Sequence, residues 1–325
     1  MATGMQPEPP CIIDGAAVDA LLDWPSVTEA LAAGHRLPPG PVKSSHNEYG
    51  VNSIMNLSAW IDGLGAAVKS CSLFPENTPP VETVQGVVIL YDADDGHPKA
   101  IIDGASLTRW KTVGDSLLGA TYLAPENPKT LLIVGAGVIG ITAAQAYPAL
   151  FPTIDTVLVW NRDQGRLRDS VDRLRAMLDG VSVEAAADLE AATGRADIVS
   201  CATRAVEPVI LGDWLRPGQH LDLIGAYLPD MREADDAAMQ RASLYIDNHA
   251  NTVASTGDFL IPLANGSIAD SDVRADLYAL STAGRPPRDA SEITLFKNGG
   301  GAHMDLMVAD LVHRRFREEN PQHVD

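Results

Sequence analysis

The sequence predicts an α/β protein in which a doubly wound parallel-sheet domain is joined to a second, discontinuous α+β domain. Three observations predict it. Residues 131–134 form a continuous apolar run that enters Gly135-Ala136-Gly137-Val138-Ile139-Gly140, and residues 141–147 continue with helical spacing. A second strand-like run, Thr156–Trp160, follows at the distance one βα unit requires, and β- and α-like segments then alternate through residue 246. Before residue 126 the pattern differs, because short β-segments separated by hairpin-type turns read as antiparallel.

The glycine stretch carries the first functional expectation. Gly135 makes the tight turn, Gly137 lets a pyrophosphate approach the backbone, and Gly140 lets the helix pack on its strand. The helix N-terminus, at Val138 and Ile139, offers free N–H groups and a partial positive charge to phosphates. Strand, glycines and helix together point to a Rossmann-type dinucleotide site, since the glycine pattern alone is common. An acid at the end of the second strand ordinarily receives the adenosine ribose. Asn161-Arg162 stand there instead, with Arg166 one turn on. A guanidinium pairs well with a 2′-phosphate, so NADP(H) is favoured; NAD(H) stays open, because Asp163 could still reach the ribose.

Composition narrows the class. At 325 residues the chain is long for one core, and 46% hydrophobic residues are enough to fill two. The expected boundaries are 1–126 with 297–325 for the α+β domain and 127–296 for the nucleotide domain. A formal charge of −19 argues against nucleic acid and anionic membrane as partners, because phosphate binding needs clustered Lys and Arg. An anionic substrate must then be held by specific basic residues working against the global field. The apolar runs are strand-sized and the first twenty residues carry no basic segment, so neither a membrane span nor a signal peptide is expected, and a cytoplasmic location is the simplest reading. Cys11, Cys71 and Cys201 lie far apart with no CxxC pairing, which argues against a disulfide framework and against a metal site.

In chain order, the residues before Pro10 read as a frayed terminus and residues 14–33 as two amphipathic helices with Leu21, Leu22, Val27 and Leu31 facing inward. Pro- and Gly-rich residues 34–41 make a loop. Strands are expected at 50–55, 64–72 and 86–91, the last turning through 92–96 into a partner at 98–102. A helix over 107–123 is closed by Pro125 and Pro128. In the second domain, helices are expected at 166–178, 189–193 and 233–241, and strands at 181–183, 196–201, 221–224 and 243–246. The tail, 300–319, is a helix too long and too apolar to dangle, and it is expected to fold back onto the first domain.

With the motifs assembled, the chain resembles the ornithine cyclodeaminase/mu-crystallin family over nearly its whole length. The resemblance rests on Val68-Lys69 with Phe74-Pro75-Glu76-Asn77, on 86–92 with Gly96, and on Asp103-Gly104 with Leu107-Thr108. It continues through the glycine loop, 196–203, Gly225-Ala226 with Pro229 and Glu233, Gly257-Asp258, and Leu295-Phe296-Lys297-Asn298-Gly299-Gly300. The resemblance implies a homodimer built on a substrate and dimerisation domain that the C-terminal helix completes, and a small amino acid or cyclic imino acid as substrate. It places Thr203, Lys297 and Gly299 at the cofactor and Lys69 beside the substrate carboxylate. The residues agree on Lys69, which ends an apolar strand-like run where a partnerless lysine would be costly. Lys111 and Lys43 fall where the family typically has arginines, keeping the charge but losing the bidentate fork.

Two further departures bear on the reaction. Cyclodeaminases of the family carry an acid at the position of Tyr227 and a glutamate at the position of Ser53, groups that handle the amine. Without them simple hydride transfer leads: an NADPH-dependent reductase that converts a carboxylate-bearing imine into an amino acid. A cyclodeaminase holding NAD tightly and a non-catalytic ligand-binding protein are the alternatives. Reduction needs a proton at the imine nitrogen, for which Lys69, His46 and Tyr227 are candidate donors. Asp305 matches a family acid near the nicotinamide, and the competing reading is a first-turn acid favoured by the helix dipole.

Overall fold

The computed structural model describes residues 9–78 and 80–321; the terminus expected to fray before Pro10 lies, through residue 8, outside the described residues. The chain divides into two compact units, residues 1–111 with 301–325 and residues 112–300. The first opens with strand β1 (Cys11–Ile13) and helices α1 (Gly15–Leu21) and α2 (Trp24–His35). The carboxylates of Asp14 and Asp23 start the two helices by accepting first-turn N–H groups. Leu21, Leu22, Val27 and Leu31 are all buried, as their spacing requires.

An antiparallel run follows: β2 (Val42–Tyr49), β3 (Asn52–Ile61), β4 (Gly65–Leu73), β5 (Val84–Tyr91) and β6 (Pro98–Asp103). With β1 parallel to β6, the sheet order is β1-β6-β5-β4-β3-β2. Sequence patterning does not reveal β2, because Lys43-Ser44-Ser45-His46-Asn47-Glu48 has no apolar alternation. It is an edge strand, exposed along most of its length, held by its ladder to β3 rather than by burial. The register places Leu57, Lys69 and Val88 opposite one another on one face, together with Ala59, Ala67 and Leu90. The C-terminal helix, Ala302–Glu319, covers this inner face, packing on β3, β4 and α2. Helix α3 (Gly104–Leu123) carries the chain out of the unit.

The second unit alternates strand and helix: β7 (Thr130–Val134), α4 (Val138–Leu150), β8 (Thr156–Trp160), α5 (Gln164–Met177), β9 (Ser182–Ala185), α6 (Leu189–Arg195), β10 (Ile198–Cys201) and β11 (His220–Leu223). It continues with α7 (Asp236–Arg241), β12 (Ser243–Ile246), α8 (His249–Thr252), α9 (Gly257–Ala264), β13 (Val273–Asp276), α10 (Leu277–Ala283) and β14 (Thr294–Lys297), and the C-terminal helix is α11. All eight strands are parallel, in the order β13-β12-β14-β11-β10-β7-β8-β9. The chain winds outward from β7 to β9 and then returns to the other side of β7 for β10. That reversal is the switch point at whose strand ends such sheets hold ligands. The fold is thus the expected α/β class, a Rossmann-type sheet with a discontinuous α+β unit. Strand β14, absent from the sequence expectation, inserts between β11 and β12 in the interior of the sheet. Among the described residues no helix is long and apolar enough to cross a membrane, and the three cysteines are unpaired thiols.

Polar side chains also reach the core of this sheet. Asp222 on β11 accepts hydrogen bonds from Ser200 Oγ at 2.7 Å and Tyr147 Oη at 2.9 Å, all three residues being buried. Burial pushes its carboxyl from 3.8 up to about 6. The folded protein therefore holds a proton that the unfolded chain releases at lower pH. This contribution is complete below pH about 4 and is lost as pH rises through about 6. Asp222→Asn removes the titration, so the variant's stability relative to wild type is expected to rise by about 3 kcal/mol between pH 4 and pH 7. Urea unfolding of both proteins at the two pH values checks this, and parallel stability curves would contradict the assignment.

Candidate active site

In the first unit the chemistry gathers on the inner sheet face beneath α11. Lys69, from β4, is 7% exposed; its Nζ donates to Thr108 Oγ1 and lies 3.5 Å from Asp305 Oδ1 in the first turn of α11. The Thr108 hydroxyl donates in turn to the Gly104 carbonyl, which leaves its oxygen lone pairs to face the ammonium. Asp305 is buried, and neither of its oxygens accepts a hydrogen bond from a described residue. Lys111 is buried as well, forming no hydrogen bond or ion pair with a described residue. The Cys71 thiol senses all three charges, although burial is what chiefly pushes it up from its ordinary value. His303 meets His35 edge-on at 5.5 Å between ring centroids. Burial, followed by His35 and Lys111, holds its imidazole well below the usual range, so it is neutral near pH 7.

Lys69, Asp305 and Lys111 thus gather around Cys71, two ammoniums to one carboxylate, which leaves a net positive charge among the three. Such a charge is costly inside a protein, and an entering anion would offset it. Lys43 and His46 are not brought into this cluster. Lys43 stands opposite Ser58, so the two-residue period of the strand puts it on the outer face. His46 shares the inner face but sits on the exposed edge strand, beside Glu48 at 3.7 Å and two strands, or about 10 Å, from β4. The sequence motif includes Thr108 without marking its role, and nothing local in the sequence marks His35 or His303. A threonine four residues after Gly104 is the one local signal that could have marked Thr108.

In the second unit the glycine loop fits a dinucleotide. Gly135 has φ of +109°, and a Cβ there would meet the Ala202 carbonyl oxygen at 2.6 Å. A Cβ on Gly140 would meet the Gly135 oxygen at 2.0 Å. Gly137 differs: its backbone is extended and nothing lies within 4 Å of where a Cβ would stand. Neither backbone geometry nor a neighbour demands glycine at that position, which leaves room for a ligand. Helix α4 begins at Val138 without a side-chain cap, so the amides of Val138, Ile139 and Gly140 stay available for phosphate.

The remaining nucleotide-site candidates divide. Asn161 Oδ1 accepts the Ala136 N–H at 3.2 Å, and Asp163 Oδ1 caps α5 by accepting the N–H groups of Gly165 and Arg166. Those backbone hydrogen bonds hold the Asp163 carboxyl below its ordinary value. Arg162 and Arg166 are exposed and ion-pair with no described residue. Thr203, after β10, is anchored to Glu233, and the Gly299 N–H donates to Asp247 Oδ2 at 2.9 Å. Lys297 is fully buried, with Nζ 3.0 Å from Asp258 Oδ2. Tyr227 is half exposed on the loop after β11.

Fold and glycine loop together define a dinucleotide-binding α/β protein. The profile of the ornithine cyclodeaminase/mu-crystallin family matches residues 32–320, and the chain belongs to that family. It is 45% identical over 297 residues to a delta(1)-pyrroline-2-carboxylate reductase of Paracoccus denitrificans, covering 90% of this chain and 93% of the relative. Ketimine reductase mu-crystallin of Rattus norvegicus is 31% identical over 233 residues, or 72% of this chain and 70% of that one. The structure of Thermococcus litoralis delta(1)-pyrroline-2-carboxylate reductase in complex with NADH and L-proline matches with a TM-score of 0.87 at 26% identity, covering 95% of this chain and 98% of that chain.

The charge imbalance predicts opposite signs for two substitutions. Asp305→Asn strips the buried Lys69 ammonium of its counter-ion and is expected to destabilise the protein by about 3 kcal/mol. Lys111→Met removes the unmatched charge with little change of length and is expected to stabilise by about 1 kcal/mol. Chemical denaturation measures both, and a destabilising Lys111→Met would mean that the ammonium has a structural partner after all.

Proposed function

We propose that this protein is a nicotinamide-dependent reductase of small carboxylate-bearing imines, cyclic ketimines of the delta(1)-pyrroline-2-carboxylate class, which it converts to the corresponding amino acid. The observation that carries this reading is the buried Lys69–Asp305 pair, with Lys111, which forms no ion pair with a described residue, acting on the same Cys71 thiol. The substrate carboxylate supplies the missing negative charge, held by Lys111 and a free N–H of Lys69 as by two point charges rather than a fork. Lys69 Nζ donates the proton to the imine nitrogen, and the Asp305 carboxylate, paired with the ammonium before transfer, offsets the iminium charge afterwards. With substrate bound the cluster is neutral, and the proton moves within it without changing that sum. When bound, the nicotinamide supplies a hydride to the imine carbon, the step the cofactor itself carries. The similarity to reductases of this class supports the reading.

NADPH is the proposed partner. Asn161 and Arg162 stand where an acid ordinarily ends the second strand, Asn161 and Asp163 use their side chains for local hydrogen bonds, and Arg162 and Arg166, which ion-pair with no described residue, are placed to meet a 2′-phosphate. Oxidation of NADPH on adding delta(1)-pyrroline-2-carboxylate or delta(1)-piperideine-2-carboxylate is the expected result, with Lys69→Ala reducing the rate about a hundredfold or more. Arg162→Asp is expected to shift preference toward NADH. A wild-type protein that oxidises neither cofactor with either imine would sink the proposal.

We also propose a homodimer formed through the outer face of the six-stranded sheet. Ile12, Ile54, Trp60 and Val87 lie on that face by register and are all exposed, an apolar surface that a second copy would cover. Light scattering is expected to give twice the chain mass, and Trp60→Asp to shift the protein to monomer. A monomeric wild type would refute the arrangement.

A further inference from the structure

Among the fully buried ionisable side chains of the second unit that the reaction proposed above does not use, Glu233, Asp258 and Lys297 form one linked group. Asp258 Oδ2 lies 3.0 Å from Lys297 Nζ, while Asp258 Oδ1 accepts the backbone N–H of Glu233 at 2.8 Å. Glu233 turns its own carboxylate to other partners. Its Oε1 accepts the N–H of Thr203 at 2.6 Å and the Thr203 hydroxyl at 2.8 Å; its Oε2 accepts the N–H of Gly225 at 2.6 Å and that of Ala226 at 3.4 Å. One carboxylate thus gathers four donors from the loops that leave β10 and β11.

Those loops also support the glycine turn by contact. A Cβ on Gly225 would lie 1.7 Å from the Thr203 carbonyl oxygen, and one on Gly135 would lie 2.6 Å from that of Ala202. The three segments are therefore stacked with no spare room, and a shift of the Thr203 loop moves the surface on which the Gly135 turn rests. Burial pushes the Glu233 carboxyl up to about 7, against which Lys297 and the Thr203 hydrogen bonds work to keep it ionised. If the loop leaves, a buried carboxylate loses its donors, so the loop is held in one place.

We propose that Glu233, backed by Asp258 and Lys297, is a positioning residue for the dinucleotide: it contacts no part of the cofactor and sets the Thr203 and Gly225 loops that wall the crevice beside the glycine turn. This rests on the dinucleotide-dependent reaction proposed above. It also gives the buried Lys297 a function, as the counter-charge that lets two acids share one interior.

An amide at position 233 has one acceptor oxygen, and its NH2 group faces N–H donors, so one loop loses its anchor. The test is titration of NADPH into the full-length protein without substrate, followed by nicotinamide fluorescence, for wild type, Glu233→Gln, Glu233→Asp and Thr203→Val. Glu233→Gln is expected to weaken NADPH binding about tenfold. Glu233→Asp should recover part of that loss, and Thr203→Val, which keeps the carboxylate and three of its donors, should weaken binding a few-fold. At saturating NADPH the imine KM is expected to stay within about twofold of wild type. Equal NADPH affinity in wild type and Glu233→Gln overturns this inference and leaves the reductase reading standing, as does an imine KM that rises in step with the lost cofactor affinity. A wild type that binds neither NADPH nor NADH overturns both. Should Glu233→Gln fail to fold, unchanged affinity in Thr203→Val is the overturning result.

Discussion

A buried ammonium must be met by negative charge, and the Lys69–Asp305 pair shows how much of the chain that requirement organises. Lys69 lies on a central strand of the first sheet and Asp305 in the first turn of the last helix. They meet only because the chain, after building a whole second unit, returns to lay α11 across the face it formed first. Farther along that helix, Arg315 donates to the Leu21 carbonyl and to Asp23, so the helix is fastened at two places. A buried ion pair contributes little net stability compared with well-packed apolar residues; its effect is to specify which turn of α11 meets β4.

The second unit applies the same rule with the sign reversed. Asp222, Asp247, Asp258 and Glu233 are fully buried on or beside its parallel strands, with Lys297 the one lysine buried among them. Each acid is kept by hydrogen-bond donors, many of them backbone N–H groups of loops that would otherwise turn to water or to a ligand. The first-turn amides of α4 have no side-chain acceptor among the described residues. Interior acids take the loops, and the helix N-terminus is left for phosphate. In a chain of net charge −19 this partition matters, because a ligand anion can be held only where local donors outweigh the global field.

The departures from the cyclodeaminase pattern are consistent with this arrangement. The resemblance implies amine-handling acids at the positions of Tyr227 and Ser53; in the lysine cluster of this chain the carboxylate is Asp305, already matched to Lys69. An acid so placed can shield an iminium but is poorly suited to activating a free amine. Lys111, a single point charge, asks less of the geometry of the group it meets than an arginine fork would. Both features favour reduction of a small imino acid over the release of ammonia from a diamine.

By itself the sequence determined what depends on near neighbours. Asp14 and Asp23 announce helices because a carboxylate caps the turn that follows it, and the strand–glycine–helix unit is legible because turn, phosphate approach and packing are set within six residues. Lys69 stood out for the same reason, as a charge at the end of an apolar run. Tertiary structure decided what depends on residues far apart in the chain. Strand β14 became an interior strand of the parallel sheet, although its four residues carry no pattern that says so. Lys43 went to the outer face through a register that no local window reads, and β2 formed with no apolar periodicity because a neighbouring strand offered it hydrogen bonds. The pairing of His35 with His303, and the four donors that converge on Glu233, exist only after folding. Burial and charge matching are properties of the assembled interior, not of any segment that enters it.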